Sequence, residues 1–107
     1  MPKYLFIANY TPESTKAIMS SGGTARRAAI EKMASDLGGR VESFHFAFGG
    51  DDAYVIVELP DNKTAAAVSL TVNGTGAVAA RTVVLLTPEE VDEAGQLHPD
   101  YRQPGAS

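Results

Sequence analysis

The chain has 107 residues and no cysteine, and 9 Lys and Arg against 13 Asp and Glu give a net charge of −4. This length is typical of one domain, and the absence of cysteine excludes disulfides, thiolate catalysis and Cys-based zinc or iron–sulfur sites. The acidic balance argues against nonspecific binding to nucleic acid or to an anionic membrane. No apolar run approaches the ~18–20 residues of a membrane span, and the first apolar stretch is too short for a signal peptide. We therefore expect a cytoplasmic protein with neither nucleic acid nor membrane as a partner.

The first third of the sequence predicts a strand followed by a helix in two parts. Residues 3–10 are rich in β-branched and aromatic residues, which favour a strand. Thr11 and Pro12 then resemble a helix start, with a capping hydroxyl before a proline at the first helical position. A break over 20–23 separates this short helix from an amphipathic segment over 24–37.

The middle of the sequence predicts a β-hairpin. Phenylalanine alternates with smaller or polar residues over 40–48, which is the clearest two-residue period in the chain. The glycines and aspartates of 49–52 are typical of a turn, and 53–59 supplies the second strand.

The remaining sequence predicts a helix, a strand and a short last helix. Asp61 can cap a helix that Asn73-Gly74 end, residues 78–86 form the last strand, and Pro88 begins the short helix. We expect residues 1–94 to form the domain and residues 95–107, which have little to bury, to form a flexible tail.

The resulting order β-α-β-β-α-β is that of a ferredoxin-like α+β fold, with one antiparallel sheet and its helices on one face. Such a sheet normally has one polar face, yet these strands are apolar at both alternating sets of positions. A second copy of the chain would cover the other face, so we expect a homo-oligomer, most simply a dimer with a barrel-like α+β interface.

Four ordered segments resemble the GYD-domain family of small bacterial proteins: Asn9–Glu13, Leu37–Phe44, Gly49–Asp52 and Val55–Asp61. The resemblance extends over residues 1–94 and implies a ferredoxin-like fold without implying an activity. The Gly-Tyr-Asp that names the family falls on Gly50-Asp51-Asp52, so Asp51 stands where the family has tyrosine. Related dimeric α+β barrel families include small monooxygenases and stress proteins, an analogy of fold alone.

His45 and Glu58 are the strongest candidates for chemistry. His45 could act as a general base or as an axial ligand of haem or a metal, or it could be a hydrogen-bonded histidine at an edge or interface. Glu58 could be a buried base, or it could reach water or Arg81. Asp51 and Asp52 fit a turn better than a cation site, because two adjacent acids rarely suffice. We predict no metal site, and no cofactor can be named.

Three functions are open from the sequence. The first is an oligomeric module that binds or senses a small apolar ligand in a pocket between sheet and helices, with His45, Tyr54 and Glu58 as polar contacts. The second is a cofactor-independent enzyme of the monooxygenase or isomerase type, with His45 as its base. The third is a structural protein whose function is its assembly. The candidate ligand-binding residues are Asn9, Tyr10, Ser43, Tyr54 and Glu58.

Overall fold

Eight elements follow the predicted order in the computed structural model, which describes residues 1–105. They are β1 (Lys3–Tyr10), α1 (Pro12–Ser21), α2 (Gly23–Asp36), β2 (Arg40–Phe46), β3 (Ala53–Glu58), α3 (Asn62–Gly74), β4 (Val78–Leu85) and α4 (Pro88–Ala94). Residues 106 and 107 of the predicted tail lie outside the described residues. None of the helices over 1–105 is long and apolar enough to cross a membrane.

The four strands form one antiparallel sheet in the order β2-β3-β1-β4. This order confirms the α+β fold and is consistent with the ferredoxin-like arrangement. The two central strands are β1 and β3, so Leu5 lies between Ile56 of β3 and Val83 of β4. A register shift between Val41 and Ser43 interrupts the pairing of β2 with β3.

Side-chain caps begin the helices where the sequence predicts them. Thr11 accepts a hydrogen bond from the Ser14 amide at the start of α1, and Asp61 accepts one from the Thr64 amide at the start of α3. Gly39 connects α2 to β2, and a Cβ there would collide with the carbonyl oxygen of Glu58. Only glycine fits this close approach.

The core lies between the sheet and its helices. The β1 side chains Tyr4, Phe6 and Ala8 point into it, and residues from β3, α2 and α3 complete it. The other buried residues of the main cluster are Ala34, Val55, Val57, Leu59, Ala65 and Val68. The face of the sheet that carries Leu5, Ile56 and Val83 is called the open face below, because the core side chains that pack against α2 and α3 lie on the other face and no helix within residues 1–105 packs on this one.

Several boundaries differ from the predictions. The predicted break over 20–23 is the single residue Gly22, whose φ of 94° ends α1 and starts α2 directly. Strand β2 ends at Phe46, and Phe48 is fully exposed in the loop. Helix α3 continues through Gly74, and the left-handed turn is taken by Gly76. Neither Gly49 nor Gly50 has the positive φ that the turn suggested.

Candidate functional site

A cleft of about 550 Å³ lies between α1, α2 and α3 at one end of the sheet. It is mainly apolar, and it adjoins an inner recess of about 50 Å³ above the sheet. The cleft and the recess share a wall formed by six residues: Tyr10, Arg26, Ile30, Met33, Val72 and Val78. Helix α2 packs on β2 and α3 packs on β4, which leaves this space between the two helices.

Three of the six polar side chains that line the cleft donate hydrogen bonds to the backbone. The Ser14 hydroxyl donates to the Ala77 carbonyl at 2.9 Å, and the Ser21 hydroxyl donates to the Ala17 carbonyl at 2.7 Å. The Thr75 hydroxyl donates to the Val72 carbonyl at 2.8 Å. Each of these three hydroxyls donates its hydrogen bond within the protein, so it is not free to donate one to a ligand.

Arg26 is the one charged side chain among the residues that line the cleft and the recess. It is partly buried in the first turns of α2, with its guanidinium carbon 5.7 Å from the centre of the Tyr10 ring. Its Nε is shielded from solvent and has no hydrogen-bond partner within residues 1–105. The neighbouring Arg27 points outward and forms an exposed ion pair with Glu31.

A second polar group lies on the open face, around Asp51. Its carboxylate accepts hydrogen bonds from the Asn9 amide at 2.8 Å and from Arg81 Nη2 at 3.1 Å. The Tyr54 hydroxyl is 3.4 Å away. Asp52 beside it accepts a hydrogen bond from the Tyr10 backbone amide at 2.9 Å. The two adjacent acids therefore fasten the 49–52 loop to the sheet.

The opposite end of the open face carries two ion pairs, Lys3 with Glu42 and Arg40 with Glu58. The hydrogen bond and charge of Glu42 raise the pKa of the Lys3 ammonium. Glu58 of β3 pairs with Arg40 of the neighbouring strand β2, and not with Arg81 of β4. The suggested contact with Arg81 is wrong because β1 separates β3 from β4.

The predicted site residues divide between the two faces of the sheet. Tyr10 lines the cleft. The other five, which are Asn9, Ser43, His45, Tyr54 and Glu58, lie on the open face, where His45 pairs with Tyr54 and Ser43 with Ile56.

One of the three functions left open by the sequence used His45, Tyr54 and Glu58 as polar contacts of a pocket between sheet and helices, but all three lie on the open face. Each occupies the strand position whose side chain points away from the helices. Their part in any chemistry on the open face stays a prediction. No group of three or more His, Cys, Asp or Glu that could hold a metal ion occurs in the described part of the chain.

Arg26 was not among the site residues predicted from the sequence. A signal was present in the helical period. Arg26 precedes Ile30 by four residues and Met33 by seven, so it shares the apolar stripe of α2. A charged residue in such a stripe either is buried at a cost in free energy or contacts a ligand.

The chain was compared with known families, curated proteins and solved structures. The GYD domain family matches residues 4–94, which is most of the chain. The chain therefore belongs to the GYD domain family. No curated protein and no solved structure matches it.

Proposed function

We propose that this protein is a small-molecule-binding module whose ligand occupies the cleft between α1, α2 and α3. The observation that carries the proposal is the cleft itself, about 550 Å³ in volume with a mainly apolar lining. Binding pockets for small molecules are commonly of this size, with apolar walls and few polar groups. The adjoining recess would take a small apolar group of the ligand.

Binding is favoured over catalysis because the cleft lacks converging reactive groups. An enzyme site usually combines a base, a nucleophile or acid and a group that stabilises charge. Of the six wall residues shared with the recess, only Arg26 is charged and only Tyr10 carries another polar group. His45, the base of the enzyme hypothesis, is exposed on the open face, away from this cleft.

The neutral apolar dye N-phenyl-1-naphthylamine tests the proposal, because its fluorescence rises when it leaves water. We expect saturable binding to the parent protein. Ala28 and Ala29 are both exposed, but Ala29 lines the cleft and Ala28 lines neither the cleft nor the recess. An Ala29→Phe variant should weaken dye binding and an Ala28→Phe variant should not. Absence of saturable binding, or equal effects of both substitutions, would contradict the proposal.

A second function, self-association through the open face, is favoured by a separate observation. Leu5, Ile56, Val83 and Leu85 remain partly accessible on that face. The ion pairs near Lys3 and Glu58 border this apolar centre at one end, and the Asp51 group borders it at the other. An apolar centre with a polar rim is the usual composition of a protein interface, so we propose a dimer joined through the two open faces.

A further inference from the structure

We propose that the cleft selects an organic acid, with its carboxylate bound by Arg26 and its apolar body between α2 and α3. This inference rests on the proposed function and adds the chemical class of the ligand. Its starting point is the partly buried guanidinium of Arg26, whose Nε is shielded from solvent in a mainly apolar cleft, where an unpaired charge is unfavourable.

Among the described residues, none that lines the cleft or the recess carries a negative charge to balance Arg26. The residues that line the cleft and the recess include no aspartate or glutamate. The Nε atom of Arg26 is buried without a hydrogen-bond partner in the described region. The Tyr10 ring, 5.7 Å from the guanidinium carbon, offers a cation–π contact but no negative charge. An anionic group of a ligand would supply both the missing negative charge and a hydrogen-bond acceptor for Nε.

A single carboxylate fits this arrangement better than a phosphate group. Arginine presents a planar set of donors that matches the two oxygens of a carboxylate. A phosphate group carries up to two charges and three acceptor oxygens, and the cleft lining contains no second cation for them. The apolar lining around Arg26, formed by Ile30, Met33, Val72 and Val78, would contact an aromatic ring or a short alkyl chain.

Matched pairs of compounds test the head group separately from the body. The probes are trans-cinnamate against cinnamyl alcohol and octanoate against octanol, measured by displacement of N-phenyl-1-naphthylamine. Hydrogen bonds to charged groups contribute enough to change affinity by roughly tenfold or more. We expect each acid to bind at least about tenfold more tightly than its alcohol.

Two arginine variants then locate the effect. Arg26→Gln should remove the preference for the acids while leaving alcohol binding nearly unchanged, and Arg26→Lys should retain part of it. Arg27→Gln is the matched control, because Arg27 is adjacent in sequence, exposed and outside the cleft. Circular dichroism and thermal melting establish that each variant is folded.

The outcomes separate the inference from the proposed function. If acids and alcohols bind equally, the cleft binds apolar molecules and the selection of an acid is wrong. If Arg27→Gln weakens acid binding as much as Arg26→Gln, the effect comes from overall charge and the inference is also wrong. If neither member of either pair binds and the dye does not bind, the proposed function fails together with the inference.

Discussion

Asp51 connects three strands of the sheet through its single carboxylate. Asn9 comes from β1, Tyr54 from β3 and Arg81 from β4, and the carboxylate oxygens lie 2.8, 3.4 and 3.1 Å from their donor atoms. The Asp51 side chain is 20% exposed in its ion pair with Arg81, which is 67% exposed. Such a pair contributes little by itself, because solvent screens it. The part-buried bond to Asn9 matters more.

Replacing Asp51 by alanine should therefore lower the free energy of unfolding by about 1–2 kcal/mol, the sum of a few modest hydrogen bonds. Arg81→Ala should cost less than about 1 kcal/mol, because only the exposed pair is lost. Urea denaturation of both variants and of the double variant measures these values. An Asp51→Ala cost no larger than that of Arg81→Ala would show that the carboxylate does not hold the three strands together.

The side-chain network around Asp51 was only partly predictable from the sequence. Two aspartates after two glycines predict that the loop is tied to its own backbone, whereas Asp52 accepts a hydrogen bond from the backbone amide of Tyr10 in β1. The bonds from Asp51 to Asn9 and Arg81 depend on strand order, which no local pattern contains. The same dependence on strand order explains why the sequence suggested water or Arg81 as the contact of Glu58, and not Arg40.

At the scale of an element, α3 depends on its N-terminal cap. Asp61 accepts hydrogen bonds from the Thr64 amide at 2.8 Å and from the Thr64 hydroxyl at 2.7 Å. These bonds favour the charged carboxylate, the backbone amide most strongly, and lower the pKa of Asp61 below its ordinary value. Helix α3 carries Ala65 and Val68 into the core, so its first turn is coupled to the packing of the sheet.

A carboxylate whose pKa is lower in the folded state than in the unfolded state stabilises the fold at pH values above its unfolded pKa, which is about 3.9 for aspartate. This contribution decreases as the pH falls through the lower, folded pKa. Asparagine can accept the same cap bond without a charge. Asp61→Asn should therefore lose less thermal stability than the parent between pH 5 and pH 3, as followed by circular dichroism.

An Asp61→Ala variant supplies the comparison, because it removes the cap at every pH. It should melt below Asp61→Asn throughout that range. Parallel melting curves for the parent and Asp61→Asn would show that the charge of this carboxylate does not contribute to the acid sensitivity of the fold.

The sequence predicted which segments form helices and strands, but it did not predict the cleft between the packed helices. The caps at Thr11 and Asp61 and the stop at Gly38, whose φ is 81°, follow from local chemistry. The cleft exists because α2 packs on β2 while α3 packs on β4. That separation is a property of the packed molecule, and it makes Arg26 the one charged residue among the described residues that line the cleft.

At the scale of the whole molecule, the two faces of the sheet differ in how their apolar side chains are covered. The helix face buries Tyr4, Phe6 and Val57. On the open face Ile7 is buried by its neighbours, but Val83 remains 41% exposed. The apolar pattern of the strands predicted two apolar faces. What covers the second one is not encoded in any single strand, and the proposed dimer is the arrangement in which a second open face does so.

Two adjacent valines of β4 lie on opposite faces of the sheet, so substitutions at them test this arrangement. Val83 lies on the open face opposite Leu5, and Val84 lies on the other face opposite Tyr4, where it is 53% exposed. A two-fold interface contains each substitution twice, and a buried carboxylate without a partner is strongly unfavourable. In sedimentation velocity at micromolar concentration we expect the parent and Val84→Glu to be dimers and Val83→Glu to be a monomer.

A monomeric parent would remove the basis for the interface. Dissociation by both variants would mean that β4 contributes through its edge, and that the open face is not the surface that joins the copies.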